Sequence, residues 1–98
     1  MRLGPDMFAF EPPELIGTGK SVSSEKPDTL RRAMRYAKEV NPDVFALCGA
    51  GVSCGKDVFD AIMLGAEGVL VGSVVRKPNF KDILSEMARS ALEAWDQR

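Results

Sequence analysis

The sequence predicts an α/β fold of three parallel βα units in the order β-α-β-α-β-α, and three observations carry that reading. Short apolar runs at Met7–Phe10, Val44–Leu47 and Val69–Val71 each open onto a turn rich in glycine or proline. Stretches with helical spacing of apolar residues separate and follow them. That order, with right-handed crossovers, requires a parallel sheet and not an antiparallel one. Residues 1–98 read as one domain.

Taken in order, Gly4-Pro5-Asp6 is a turn leading into the first strand, Met7 to Phe10, whose unbroken apolar character suits a parallel strand covered on both faces. Pro12 and Pro13 cannot donate ladder hydrogen bonds, so this strand stops at Glu11 and leaves a carboxylate at its C-terminal tip. Lys20 to Lys26 is polar and serine-rich and reads as a solvated connection. Pro27 fits the first turn of a helix, along which Leu30, Ala33, Met34, Ala37 and Val40 form the apolar stripe. Arg31, Arg32, Arg35 and Lys38 take its other faces as a solvated surface, and Asn41-Pro42 ends it.

The second strand, Val44 to Leu47, runs to Cys48 and a Gly49-Ala50-Gly51 turn. A short helix starting at Ser53 or Gly55 buries Val58, Ala61 and Ile62, and Gly65 stops it. The third strand, Val69 to Val71, opens onto Gly72-Ser73. Pro78-Asn79 starts the last helix, with Ile83, Leu84, Met87, Ala88, Ala91, Leu92 and Trp95 as a packing stripe. In a parallel sheet the loops after all three strands emerge on one side. Backbone amides of Gly17, Gly51, Gly72 and Ser73 can therefore converge on one anion.

Thirteen basic and fourteen acidic side chains leave a net charge of −1, so nothing points to nucleic acid or an anionic membrane surface. No apolar run reaches the ~18–20 residues that span a bilayer, and a cytoplasmic location is expected. Two cysteines, Cys48 and Cys54, and no histidine give neither a disulfide framework nor a four-ligand zinc site. Gly19-Lys20-Ser21 ends like an ATP-binding P-loop, but the first glycine of that motif would fall at position 14, which is Glu14. The delay of the next helix to Pro27 argues against it too.

Phe10-Glu11-Pro12-Pro13-Glu14-Leu15-Ile16-Gly17-Thr18-Gly19 resembles the sixth strand and closing loop of the triose-phosphate isomerase family, in its archaeal form. Cys48-Gly49-Ala50-Gly51-Val52-Ser53 resembles that family's seventh loop, and Gly68-Val69-Leu70-Val71-Gly72-Ser73 its eighth strand and phosphate loop. The resemblance implies a partial TIM (β/α)8 barrel and a reaction that needs no cofactor and no metal. Three of eight units need about 94 of a barrel's roughly 250 residues, and the chain has 98. It also implies that Glu11 descends from the catalytic base, and that Gly17, Gly51, Gly72 and Ser73 bind the phosphate of a triose phosphate. Pro12, Pro13, Glu14, Leu15, Ile16, Thr18 and Gly19 would form a lid, with Leu15 and Ile16 shedding water.

The family's lysine and histidine belong to units that this resemblance does not cover, and Lys20 does not match the lysine. The chain by itself is thus expected to be inactive. An N-terminal barrel portion, or self-association through open sheet edges, would have to cover it. Identical copies give multiples of three strands and never eight. Two further readings are a non-catalytic βα module and another phosphate-binding barrel enzyme; the Glu11-Pro12-Pro13 loop speaks against the latter.

Overall fold

A computed structural model describes residues 6–98; most of the expected Gly4-Pro5-Asp6 turn lies outside them. Strands β1 (Met7–Phe10), β2 (Phe45–Cys48) and β3 (Gly68–Val69) form one parallel sheet in sequence order. Helix α1 (Val22–Glu25) and helix α2 (Pro27–Val40) join β1 to β2, α3 (Gly55–Met63) joins β2 to β3, and α4 (Phe80–Gln97) follows. The predicted β-α-β-α-β-α order is therefore present. β2 begins and ends one residue later than the apolar run suggests, and β3 is shorter, because after Val69 only Leu70 N–H continues the ladder, to the Cys48 carbonyl.

β1 pairs with β2 in the register Phe8↔Ala46 and Phe10↔Cys48. These four side chains face the helices and pack with Leu30, Met34, Ala61 and Ala66 in one core cluster. A second cluster lies between α3 and α4, where Val58, Ile62 and Val74 meet Met87 and Ala94. The expectation that both faces of the strands are covered is overturned. Met7 is 62% and Phe45 46% exposed, with Ala9 exposed beside them, so the face opposite the helices is bare. A barrel places its helices on the outer side of its sheet only, and continuous apolar strands report burial without saying which layer supplies it.

The Lys20 to Lys26 connection is another correction. Ser21 caps α1 by accepting from Ser24 N–H, and Ser21, Val22 and Ser23 are buried. Ser23 Oγ–H reaches the Asp57 carbonyl, so Ser21 and Ser23 face the protein, while Ser24 stays exposed. The α2 stripe is buried as expected at Leu30, Met34 and Ala37, whereas Val40 at the end is exposed. Gly65, at φ 118°, follows α3 in the manner of a glycine stop. On α4 the predicted stripe fails at its C-terminal end, where Ala94 is buried but Leu92 is 69% and Trp95 51% exposed. Trp95 instead takes the Arg98 guanidinium over its ring at 4.8 Å, while Arg98 donates to the Ile62, Gly65 and Ala66 carbonyls at the end of α3. No helix among the described residues is long and apolar enough to cross a membrane.

At the sheet end remote from the glycine loops, Glu67 accepts from Ala46 N–H at 3.0 Å and pairs with Lys38 Nζ at 2.7 Å. Lys38 also donates to the Val44 carbonyl, tying α2 to the start of β2. Burial works to raise the Glu67 carboxyl, but the Ala46 N–H, the Lys38 ammonium and the Arg98 charge outweigh it and hold Glu67 below the usual carboxylate range. A lowered folded-state value means that the ionised group stabilises the fold above the ordinary value near 4.3, and that this contribution is lost as pH falls through the folded value. Urea midpoints measured between pH 6 and pH 3 should therefore fall further in the native chain than in Glu67→Gln, by an amount equivalent to about 1 kcal/mol. Parallel pH profiles would remove Glu67 from the account.

Candidate active site

The site grows out of how the strands end. Beyond the Phe10↔Cys48 pair, Gly49 N–H donates to the Phe10 carbonyl at 3.0 Å, which places Gly49 opposite the first residue after β1, Glu11. A Cβ on Gly49 would lie 2.8 Å from Glu11 Oε2 and 2.9 Å from its Cγ. The Glu11 side chain thus rests on a bare glycine backbone. This neighbour was readable in principle, from the register that a parallel pair extends past its last ladder residue.

Pro13–Leu15 form a single 3-10 turn after Glu11. Leu15 N–H bonds the Pro12 carbonyl, and the Leu15 side chain is buried in the core with Val22 and Leu30. The expectation that Leu15 and Ile16 together shed water over a ligand holds at most for Ile16, which is exposed, because Leu15 is committed to the core. Thr18 closes the segment on itself, its hydroxyl donating to the Leu15 carbonyl at 2.7 Å and accepting from Lys20 N–H at 3.0 Å. Glu14 reaches outward to Lys26 at 2.6 Å; that hydrogen bond first, then a hydrogen bond from its own backbone N–H, and last the ammonium charge keep its carboxyl below the usual range.

The far end of the segment is clamped by the second loop. Val22 N–H donates to the Ala50 carbonyl at 3.1 Å, and Gly51 lies directly beneath the Lys20 carbonyl. Ala50 has φ 84°, a left-handed conformation that costs a non-glycine residue about 1–2 kcal/mol. The loop is then fixed to α3, since Asp57 accepts from both Ser53 N–H and Ser53 Oγ–H, and Glu86 of α4 accepts from Gly55 N–H at 2.7 Å. After β3, Ser73–Arg76 form a 3-10 turn.

These three loops enclose a cleft of about 380 Å³. Glu11, Gly17, Gly51, Gly72 and Ser73 all line it, so the five residues singled out in the sequence meet at one place. Of the remaining lid residues only Ile16 reaches the wall; Pro12 is buried, and Pro13, Glu14, Thr18 and Gly19 face elsewhere. Beside Gly17 and Gly72 the space a Cβ would occupy is open. Val52, Leu70 and Val75 add apolar wall, and Arg76 adds a cation that the sequence reading passed over. Cys48, below the cleft, is fully buried, and burial pushes its thiol up to about 12, which excludes it as a nucleophile near neutral pH. Helix α1 starts at Val22, nearer Lys20 than the sequence suggests, but Glu14 still stands where a P-loop needs its first glycine.

The family model of triosephosphate isomerase matches residues 1–87. Triosephosphate isomerase of Methanocaldococcus jannaschii is 50% identical over 88 residues, covering 89% of this chain and 40% of that protein. The Sulfurisphaera tokodaii triosephosphate isomerase is 42% identical over 97 residues, covering 98% of this chain and 42% of that protein. The chain therefore spans about 40% of the length of these curated relatives. Among solved structures, the Amycolatopsis orientalis BexX/CysO complex matches with a TM-score of 0.66 at 19% identity, over 90% of this chain and 32% of that one, a likeness of fold alone.

Proposed function

Because the chain belongs to the triosephosphate isomerase family, we propose that it supplies the base and the phosphate cradle for interconversion of dihydroxyacetone phosphate and glyceraldehyde 3-phosphate. The observation that carries this reading is the meeting of Glu11 with Gly17, Gly51, Gly72 and Ser73 in one cleft. In the proposed reaction the backbone amides hold the phosphate, which fixes the carbon chain against Glu11. Glu11 takes a proton from the carbon beside the carbonyl and returns it to the former carbonyl carbon. The hydroxyl proton passes from one oxygen to the other with help from the electrophile of the remaining units, so the enzyme ends unchanged. Ile16 and Leu70, both in the cleft wall, exclude water from the reacting carbons.

The same reading makes the chain half a catalyst. It contains no histidine, so none of its residues matches the family's electrophile, which polarises the substrate carbonyl. The bare face at Met7, Ala9 and Phe45 and the outer edges of β1 and β3, unpaired among the described residues, are where the remaining five units of an eight-unit barrel would pack. Mixing the chain with a chain comprising the first five βα units of the Methanocaldococcus jannaschii relative tests this. Isomerisation of glyceraldehyde 3-phosphate is expected in the mixture and in neither chain alone. Association of the two chains without turnover would count against the proposed roles.

A further inference from the structure

Arg76 ends the 3-10 turn that follows Ser73 and lines the cleft that holds Glu11 and the glycine loops. Among the described residues it is the one cationic side chain in that wall; Lys20, although it follows the Gly19 turn, is not part of it. Among the described residues Arg76, like most of the exposed cations, has no carboxylate partner, so its guanidinium is not committed elsewhere. An exposed guanidinium in the wall of a cleft whose other charge is a carboxylate has a chemical consequence. A phosphomonoester entering this cleft brings up to two negative charges close to Glu11, and backbone amides offer only partial charges against that repulsion. Arginine offers a full charge and a planar fork of N–H donors that matches phosphoryl oxygens two at a time.

We infer that Arg76 binds the phosphoryl group of the ligand in this cleft, as a side-chain anchor additional to the amides of Gly17, Gly51, Gly72 and Ser73. The inference rests on the proposed phosphate cradle and extends it from amides that accept many anions to a site that favours the dianion.

The test is a titration of the 98-residue chain with inorganic phosphate, followed by amide NMR shifts at Gly17, Gly51, Gly72 and Ser73. In the native chain these four amides should shift together. Arg76→Gln is expected to weaken that binding about tenfold or more and to flatten its salt dependence, with Arg76→Lys in between. Since Arg76 is exposed and ion-paired to nothing described, its variants should keep the native urea midpoint. Unchanged phosphate affinity in Arg76→Gln, with the four amides still shifting, overturns the role of Arg76 and leaves the cradle standing. No shift at those amides in the native chain removes the cradle, and the role of Arg76 with it.

Discussion

In the mixture with the five-unit chain, Glu11→Gln is expected to lower kcat by about 10²–10⁴-fold while leaving KM within a few-fold of native. The substitution keeps the size of the side chain and its place over Gly49, where Glu11 atoms already lie within about 3 Å of a would-be Cβ. It removes only the ability to take a proton. The proposed phosphate cradle draws on Gly17, further along the same loop, and on Gly51, Gly72 and Ser73 of the other two loops, so binding should survive the change. A parallel rise in KM would mean that Glu11 holds the substrate and does not act on it. Steady-state kinetics over a range of glyceraldehyde 3-phosphate separates the two outcomes.

Gly51→Ala should disable the chain for a different reason, by unfolding the clamp between two loops. The residue has φ 71°, and an added Cβ would lie 1.9 Å from the Lys20 carbonyl oxygen and 2.5 Å from its carbon. Both obstacles are backbone atoms, so no side-chain rotation relieves them. The left-handed conformation costs about 1–2 kcal/mol, and the forced displacement costs about 1–3 kcal/mol more. Together they take a large share of the ~5–15 kcal/mol by which a domain is stable. Gly17→Ala is the internal control. It has φ 74° but open space around the would-be Cβ, so it should lose only the conformational part. Urea denaturation should order the chains as native, Gly17→Ala and then Gly51→Ala, far below; equal midpoints for the two variants would refute the steric argument.

How far the sequence foretold this depends on whether a feature is local. The end of β1 was readable because two prolines forbid its continuation, and the α2 stripe because Leu30, Met34 and Ala37 repeat at helical spacing and are buried. The five cleft residues were placed by strand order, since parallel strands send all their following loops to one side. Features that depend on distant partners were missed. The serines around α1 look solvent-facing until Asp57, 34 residues from Ser23, supplies a buried carbonyl. Leu15 looks like half of an apolar pair in a loop, yet the core beneath α1 and α2 takes it and leaves Ile16 outside. The bare face of the sheet could not be read from apolar strands, because their composition is the same whether the covering layer belongs to this chain or to another. Arg76 was overlooked because a lone arginine after a glycine turn carries no periodic signal.

The central claim is that this chain holds a base and a phosphate cradle without the electrophile that completes them. Its most direct test is isomerisation of glyceraldehyde 3-phosphate by the purified 98-residue chain at high concentration, beside Glu11→Gln. The account predicts no turnover above the uncatalysed rate from either. Turnover by the native chain that disappears in Glu11→Gln would contradict it, because copies of this chain would then be polarising the carbonyl without a histidine.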